Sequence, residues 1–232
     1  MLILAHRGTG KGEGENSISA FKDGLSQGAD GIEVDIRITK DEIPVCVHDD
    51  TLNRVFKRDI SLNDLSLKDI DAMGLLNNRN ITTLENLFKQ VGVELFYDIE
   101  IKDPQVIDEL KKQIEFFKPV NLMFSTFRHE CIEKLRKYFP DAIIAPLINF
   151  KEASDYKKYI LSIIEKYKPD ALNLDYRFFI ENNSEKKEWF RNLKFDYDLE
   201  YSFWTVNSDE DFLLIKDICD YLITDTPSNF VK

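Results

Sequence analysis

The chain has 232 residues and a mass of 27.2 kDa, a length that suits one large α/β unit or two small domains. Its 31 Lys and Arg against 42 Asp and Glu give a net charge of −11, which excludes sequence-independent nucleic-acid binding and disfavours tight docking on an anionic membrane. Hydrophobic residues make up 43% with no biased tract, so the composition is that of a folded globular chain without disordered linkers.

Leu2–Ala5 reads as a first strand that opens at His6, Arg7, Gly8, Thr9 and Gly10 into a Gly-containing loop. Gly8, Gly10, Gly12 and Gly14 lack the spacing of a dinucleotide fingerprint but leave room for a phosphate cradle of backbone amides. Asn16 or Ser17 can cap a helix carrying Ile18, Phe21 and Leu25, and Gly28 can stop it. From Gly31 the pattern changes to strand alternation: Ile32, Val34, Ile36 and Ile38 face one way, and Glu33, Asp35 and Arg37 face the other. Lys40–Glu42 is a polar turn and Ile43–Val47 a returning strand, so hairpin pairing brings His48 back to the level of Glu33–Asp35.

The stretch from Thr51 to Thr82, rich in Asn with only short helical turns, reads as an excursion over the site inside a single domain that spans residues 1–232. Beyond it the alternation is regular. A helix at Leu84–Val91 leads to a strand at Val93–Ile101 that again has one charged face, Asp98, Glu100 and Lys102. Helices at Gln105–Phe117, His129–Tyr138, Lys151–Tyr167, within Phe178–Leu193 and at Asp209–Lys216 alternate with strands at Asn121–Phe124, Ala142–Pro146, Ala171–Leu174, Tyr201–Val206 and Asp220–Ile223. Thr226 caps a last turn with Pro227 in its first position. About eight strands alternating with helices predict a closed (β/α)8 barrel of the TIM type, with a doubly wound open sheet as the alternative.

In such a barrel the strand C-termini share one mouth, which gathers His6, Arg7, Glu33, Asp35, His48, Glu100 and Lys102. Carboxylates of like sign persist inside a fold only with a counter-charge or a metal. An all-oxygen set favours Mg²⁺ or Ca²⁺, and two histidines beside it suit proton transfer near neutral pH. Arg7 and Lys102 are positive charge beyond what the acids need, which points to an anionic, phosphate-bearing substrate. The residues describe metal-assisted attack on a phosphodiester, in which one histidine takes a proton from the nucleophile and the other protonates the leaving alkoxide. Geometry alone leaves the two roles open; the working assignment takes His48 as the acid and His6 as the base.

His6-Arg7-Gly8, Glu15-Asn16-Ser17, Gly31-Ile32-Glu33-Val34-Asp35, Val47-His48-Asp49, Glu100-Ile101-Lys102, Trp204-Thr205-Val206-Asn207 and Thr224-Asp225 closely resemble the glycerophosphodiester phosphodiesterase family. Ser125 with Phe127 and Thr83-Leu84-Glu85 extend the resemblance nearly end to end. It implies a TIM barrel that hydrolyses glycerophosphodiesters to an alcohol and glycerol 3-phosphate. It implies Glu33, Asp35 and Glu100 as metal ligands, His6 and His48 as the catalytic pair, Arg7 and Lys102 on phosphate, and Trp204 lining the substrate pocket. Glu42, Gly14 and Thr82 depart from the family pattern, with Glu42 standing where a turn glycine is usual.

A lysophospholipase D acting on lysolipids is the same-fold rival, and Phe56, Met73, Leu75 and Leu76 could supply the apolar rim it needs. A non-catalytic binder of phosphate or polyols would lack a reactive group, and none is missing; a sugar isomerase would leave Arg7 and Lys102 with no anion to meet. Cys46, Cys131 and Cys219, odd in number and set in apolar runs, read as reduced core residues. With no signal peptide at Met1–Ala5 and no run of membrane-spanning length, they predict a cytoplasmic protein without a stable membrane anchor.

Overall fold

Nine strands form one sheet in the computed structural model, which describes residues 1–9, 14–152, 154–181 and 183–231. Eight are parallel: β1 (Leu2–His6), β2 (Gly31–Ile38), β4 (Phe96–Ile101), β5 (Asn121–Thr126), β6 (Ile143–Pro146), β7 (Ala171–Asp175), β8 (Glu200–Trp204) and β9 (Tyr221–Thr224). The hydrogen-bonded order runs β6-β5-β4-β2-β1-β9-β8-β7. Its two ends meet through a Leu147–Asn173 bridge, with Asp170 N donating to Ile144 O (3.0 Å) and Ile148 N to Asn173 O (3.0 Å). The result is a nearly closed barrel, as the alternation of the sequence predicts. β3 (Pro44–Cys46) lies off this path, antiparallel to β2, and is the predicted hairpin return.

The outer ring is α1 (Ile18–Ser26), α4 (Leu84–Val91), α5 (Ile107–Phe117), α6 (Ile132–Tyr138), α7 (Tyr156–Tyr167), α8 (Asn183–Tyr197) and α9 (Asp209–Ile215). Each turns apolar residues onto the sheet at helical spacing, for example Leu84, Leu87 and Phe88 of α4 or Ile160, Ile163 and Ile164 of α7. Burying side chains of this kind stabilises a fold by about 1.5–3 kcal/mol each. Inside the barrel, Leu4, Phe96, Met123, Ala145, Ala171, Tyr221 and Ile223 form one apolar cluster, so the interior is a packed core and not a pore. Gly31 is required here, because a Cβ would stand 2.1 Å from the carbonyl oxygen of Phe96.

Several boundaries differ from those the sequence predicts. Ser17 caps α1 by accepting from Ala20 N, while Asn16 takes a left-handed conformation (φ 55°) and sends its side chain elsewhere. α7 starts at Tyr156 rather than Lys151, where the Asp155 side chain accepts from Lys158 N (3.2 Å). α8 runs on to Tyr197, beyond Leu193; the aromatic residues of its last turn, Phe195 and Tyr197, are exposed and do not continue the buried stripe that ends at Leu193. β4 begins at Phe96 and β8 ends at Trp204; Val93–Leu95 and Thr205–Val206 are connections. Thr226 stands at the head of the last turn without capping it; its hydroxyl donates to Asn207 O (3.4 Å).

Between β3 and α4 the chain makes α2 (Asn53–Phe56), a 3₁₀ turn at Leu62–Asp64 and α3 (Leu67–Ala72), with its own small core of Val45, Val47, Leu52, Leu62, Leu65, Ile70 and Ile81. Phe56, Met73, Leu75 and Leu76 pack against that core, which removes them as an exposed rim for an acyl chain. Among the described residues no helix is long and apolar enough to cross a membrane. The glycine-loop cradle falls partly on Gly10 and Gly12, which lie outside the described residues.

Candidate active site

Strand register builds the mouth. His6 pairs with Glu33, and Asp35 with Glu100, so inward-facing groups of three adjacent strands stand side by side. Ligand-capable oxygens of Glu33, Asp35 and Glu100 lie within 4.8 Å of one another, all three residues buried. Asp98 faces inward too, but one layer deeper, where Ser125 Oγ (2.6 Å) and Asn173 Nδ2 (3.3 Å) donate to it.

The electrostatics of the triad call for a cation. Burial, together with Asp35, pushes the Glu33 carboxyl well above the ordinary carboxylate range. Burial also pushes Glu100 up to about 7, against the pull of Lys102. Burial opposes ionisation of Asp35 as well, but Lys102 and Arg7 outweigh it and hold Asp35 far below the usual value. Three such groups cannot all ionise on these two cations alone. Asp35 Oδ1 is buried without a well-aligned hydrogen bond even though Lys102 Nζ is 3.0 Å away. A hard divalent ion fits this donor set: the oxygens converge within 4.8 Å, and no thiolate or imidazole is among them.

Both predicted cations stand on the triad. Arg7 Nε lies 3.0 Å from Asp35 Oδ2 and its Nη1 donates to Glu15 Oε1 (3.1 Å), while Lys102 Nζ bridges Asp35 and Glu100. The Arg7-Gly8 turn is left-handed at both residues (φ 51° and 75°), and a Cβ at Gly8 would meet the Ala20 backbone at 2.3 Å. Arg37, the third polar residue of the β2 face, pairs with Asp103 (2.7 Å) and donates from Nε to His48 O (2.8 Å), so it fastens the hairpin rather than the acids.

The two histidines line one cavity but are held by different carboxylates. Val47 N donates to Asp35 O (3.0 Å), which sets the hairpin so that His48 reaches the triad as its spacing predicts. His48 Nδ1 meets Asp49 Oδ1 at 2.7 Å, and Arg54 Nε donates to Asp49 Oδ2 at 2.6 Å. His6 Nδ1 meets Asp225 Oδ1 at 2.8 Å, and Asn207 Nδ2 holds the other oxygen of Asp225 at 2.8 Å. Each carboxylate accepts from Nδ1–H and so leaves Nε2 of its imidazole for the site.

A cavity of about 80 Å³ joins these groups, lined by His6, Arg7, Glu33, His48, Glu100 and Lys102 at its charged end. Phe127, Leu147, Trp204 and Ile223 close the other end. Trp204 thus lines the same cavity as the charged groups. Its ring meets Phe127 edge to face at 6.2 Å, and its buried Nε1 has no hydrogen-bond partner.

Residues 6–229 match the model of the glycerophosphoryl diester phosphodiesterase family. The chain belongs to that family. It is 28% identical, over all of its length and 96% of the relative's, to a glycerophosphodiester phosphodiesterase of Caldanaerobacter subterraneus subsp. tengcongensis. The crystal structure of glycerophosphodiester phosphodiesterase from Thermotoga maritima superimposes with a TM-score of 0.82 at 28% identity, covering 99% of this chain and 96% of that one. A phosphodiesterase of Oleispira antarctica, solved in complex with the product sn-glycerol-3-phosphate, shares the fold at a TM-score of 0.78 and 19% identity, covering 98% and 94%.

Within this member of the phosphodiesterase family, the supports around the predicted residues stand, Arg54 apart, in the segments that resemble the family, but no role follows for them from periodicity. Asn16, Glu15, Asp49, Arg54, Asn207 and Asp225 brace Arg7, Asp35 and the two histidines. Asp49 and Asp225 follow His48 and Thr224 inside segments that resemble the family, which was the signal available. Arg54 lies in the excursion, and only the fold shows that it joins Glu15 (2.9 Å) to Asp49.

Proposed function

We propose that this barrel mouth hydrolyses glycerophosphodiesters to an alcohol and glycerol 3-phosphate with the help of a divalent metal, Mg²⁺ or Ca²⁺. The protein is a phosphoric diester hydrolase by family, and the roles of its individual residues are inferred from geometry and charge. The single observation that carries the proposal is the convergence of Glu33, Asp35 and Glu100 within 4.8 Å, with two carboxylate-tethered histidines at the same cavity.

Glu33, Asp35 and Glu100 would hold the ion, which supplies Lewis-acid polarisation of the phosphoryl oxygens. Arg7 and Lys102 bind the phosphate and oppose the negative charge that grows in the transition state. Burial pulls His48 below the ordinary imidazole value, and Lys102 and Arg7 act in the same direction against Asp35, so its neutral form suits the base that takes a proton from attacking water. His6 is the other member of the pair, its Nδ1 held 2.8 Å from Asp225 and its Nε2 3.9 Å from Glu33 Oε2. It protonates the departing alkoxide. The assignment favoured by the depressed His48 is thus the reverse of the working one, which took His48 as the acid.

We further read the chain as one barrel domain over residues 1–232 with residues 51–82 as a brace for the site. The net charge of −11 supports a small-molecule substrate over nucleic acid, and three buried free cysteines support residence in a reducing cytoplasm. The test is release of glycerol 3-phosphate from a panel of diesters, with and without chelator. Turnover restored by Mg²⁺ or Ca²⁺ supports the proposal; full turnover after exhaustive chelation refutes the metal assignment.

A further inference from the structure

Beside the small cavity lies a second of about 510 Å³, lined by Phe127, Ile148, Asn149, Phe150, Lys151, Asp175, Arg177, Phe178 and Trp204. Phe127 and Trp204 belong to both, so the two cavities share a wall. A diester with its phosphate between Arg7 and Lys102 has two arms. The small cavity admits a compact glycerol, and the larger one takes the other alcohol. We infer that the second cavity is a head-group subsite selective for polyhydroxy alcohols of the inositol or hexose type. The inference rests on the phosphodiesterase activity proposed above.

Its lining argues for that class. Phe150 stacks face to face on Phe178 at 3.7 Å and 5°, and Lys186 Nζ lies 4.2 Å over the Phe178 ring, so the outer face of Phe150 is the flat apolar surface against which the C–H face of a ring can lie. Asp175 and Arg177 form a bidentate pair, with Arg177 Nε 2.8 Å and 3.0 Å from the two carboxylate oxygens. Such a pair presents donors and acceptors side by side, the arrangement that matches vicinal hydroxyls. Lys151 adds a second cation at the rim, so the charges sum to +1 on the substrate side, from Lys151, Arg177 and Asp175. That balance repels a quaternary ammonium such as choline. An acyl chain would have to strip water from three charged side chains without replacing it.

The experiment measures kcat/KM of the full chain, loaded with Mg²⁺ or Ca²⁺, for glycerophosphoinositol, glycerophosphocholine and lysophosphatidylcholine. The expected order puts glycerophosphoinositol ahead by about tenfold or more. Arg177→Ala and Lys151→Ala, both at exposed positions, should collapse that preference mainly by raising KM for the inositol diester. Equal or faster turnover of either choline compound, or variants that keep the preference, would overturn the subsite. Calorimetric binding of the same diesters to His48→Ala separates this from the activity itself. If no diester is hydrolysed the proposed function fails, while the subsite stands only if glycerophosphoinositol still binds more tightly than glycerophosphocholine and Arg177→Ala removes the difference.

Discussion

Asn16 grips Asp35 twice: its Nδ2 donates to Oδ2 of Asp35 at 2.8 Å, and its Oδ1 accepts from the Asp35 backbone N at 3.2 Å. Both residues are fully buried, and the left-handed φ of 55° at Asn16 turns the side chain toward β2. The central acid of the triad therefore owes its orientation to a residue 19 positions earlier that makes no claim to chemistry of its own. Asn16→Ala should weaken divalent-metal affinity by about 10- to 100-fold, the usual effect of losing a partner of a metal ligand, and destabilise the fold by about 1–3 kcal/mol. Calorimetric titration with Mg²⁺ and thermal unfolding measure the two; an unchanged metal Kd would show that Asp35 is oriented by its ion pairs alone.

The division of labour between the histidines has a direct test. A nitrophenyl ester of glycerol phosphate needs no proton on its leaving group, whereas an alkyl diester does. His6→Ala should lose about 10²- to 10⁴-fold in kcat/KM on the alkyl diester and far less on the nitrophenyl ester, while His48→Ala should be impaired on both. Selective rescue of His48→Ala instead would make His48 the acid and His6 the base.

Stability of the metal-free protein should fall as pH rises. Glu100 moves from an ordinary 4.5 to about 7, and Asp98 from 3.8 to about 7, both chiefly through burial. A carboxyl raised in the folded state stabilises fully below its unfolded pKa and loses that contribution as pH climbs through the folded one. Asp35 and His48 are shifted downward, so their contributions are lost on acidification: that of Asp35 below about pH 4, that of His48 below about pH 6.5. Between about pH 6.5 and 8 the raised carboxyls dominate, and Tm in chelator should drop by several degrees. Saturating Mg²⁺ should flatten the slope, and an identical slope with and without metal would refute the triad as the binding site.

Glu42 departs from the family at a turn glycine, and its φ is +61°. Side chains are strained in that region while glycine is not. Glu42→Gly should therefore stabilise the protein by about 0.5–1 kcal/mol, a rise in Tm of a few degrees at most. Glu42 is exposed at the tip of the β2–β3 hairpin, so kcat/KM should stay the same. A fall in Tm would mean that the Glu42 side chain gains more from its surroundings than the backbone loses.

The acids were legible in the sequence because a strand has a period of two. Glu33, Asp35 and Glu100 fall on the polar phase of two strands whose other phase is purely aliphatic or aromatic, and His48 follows from the arithmetic of a short hairpin. Asp225 could not be found this way. It lies 219 residues from His6 and becomes its neighbour only when β9 closes against β1. Arg54 was hidden for a related reason, and Asn16, noticed as a helix cap and within a family motif, gave no sign of its grip on Asp35: each lies outside any regular apolar pattern, where no periodicity says which way a side chain points. Helix ends misread in α7 and α8 reflect the Asp155 cap and a last turn whose aromatic residues are exposed, neither of which apolar spacing reports.

The barrel wall is not equally strong all round. β2 and β4 are laddered without a break from Gly31–Phe96 to Ile36–Ile101, whereas β6 and β7 meet only through the bridge at Leu147–Asn173 and the bonds beside it. Amide hydrogens along that seam should exchange with deuterated water ahead of those on the carboxylate-bearing wall. The seam runs beneath Ile148, Asn149 and Asp175, under the larger cavity. Breathing there can resize the room for the alcohol while the oxygens that would grip the ion, anchored across the barrel, keep their spacing.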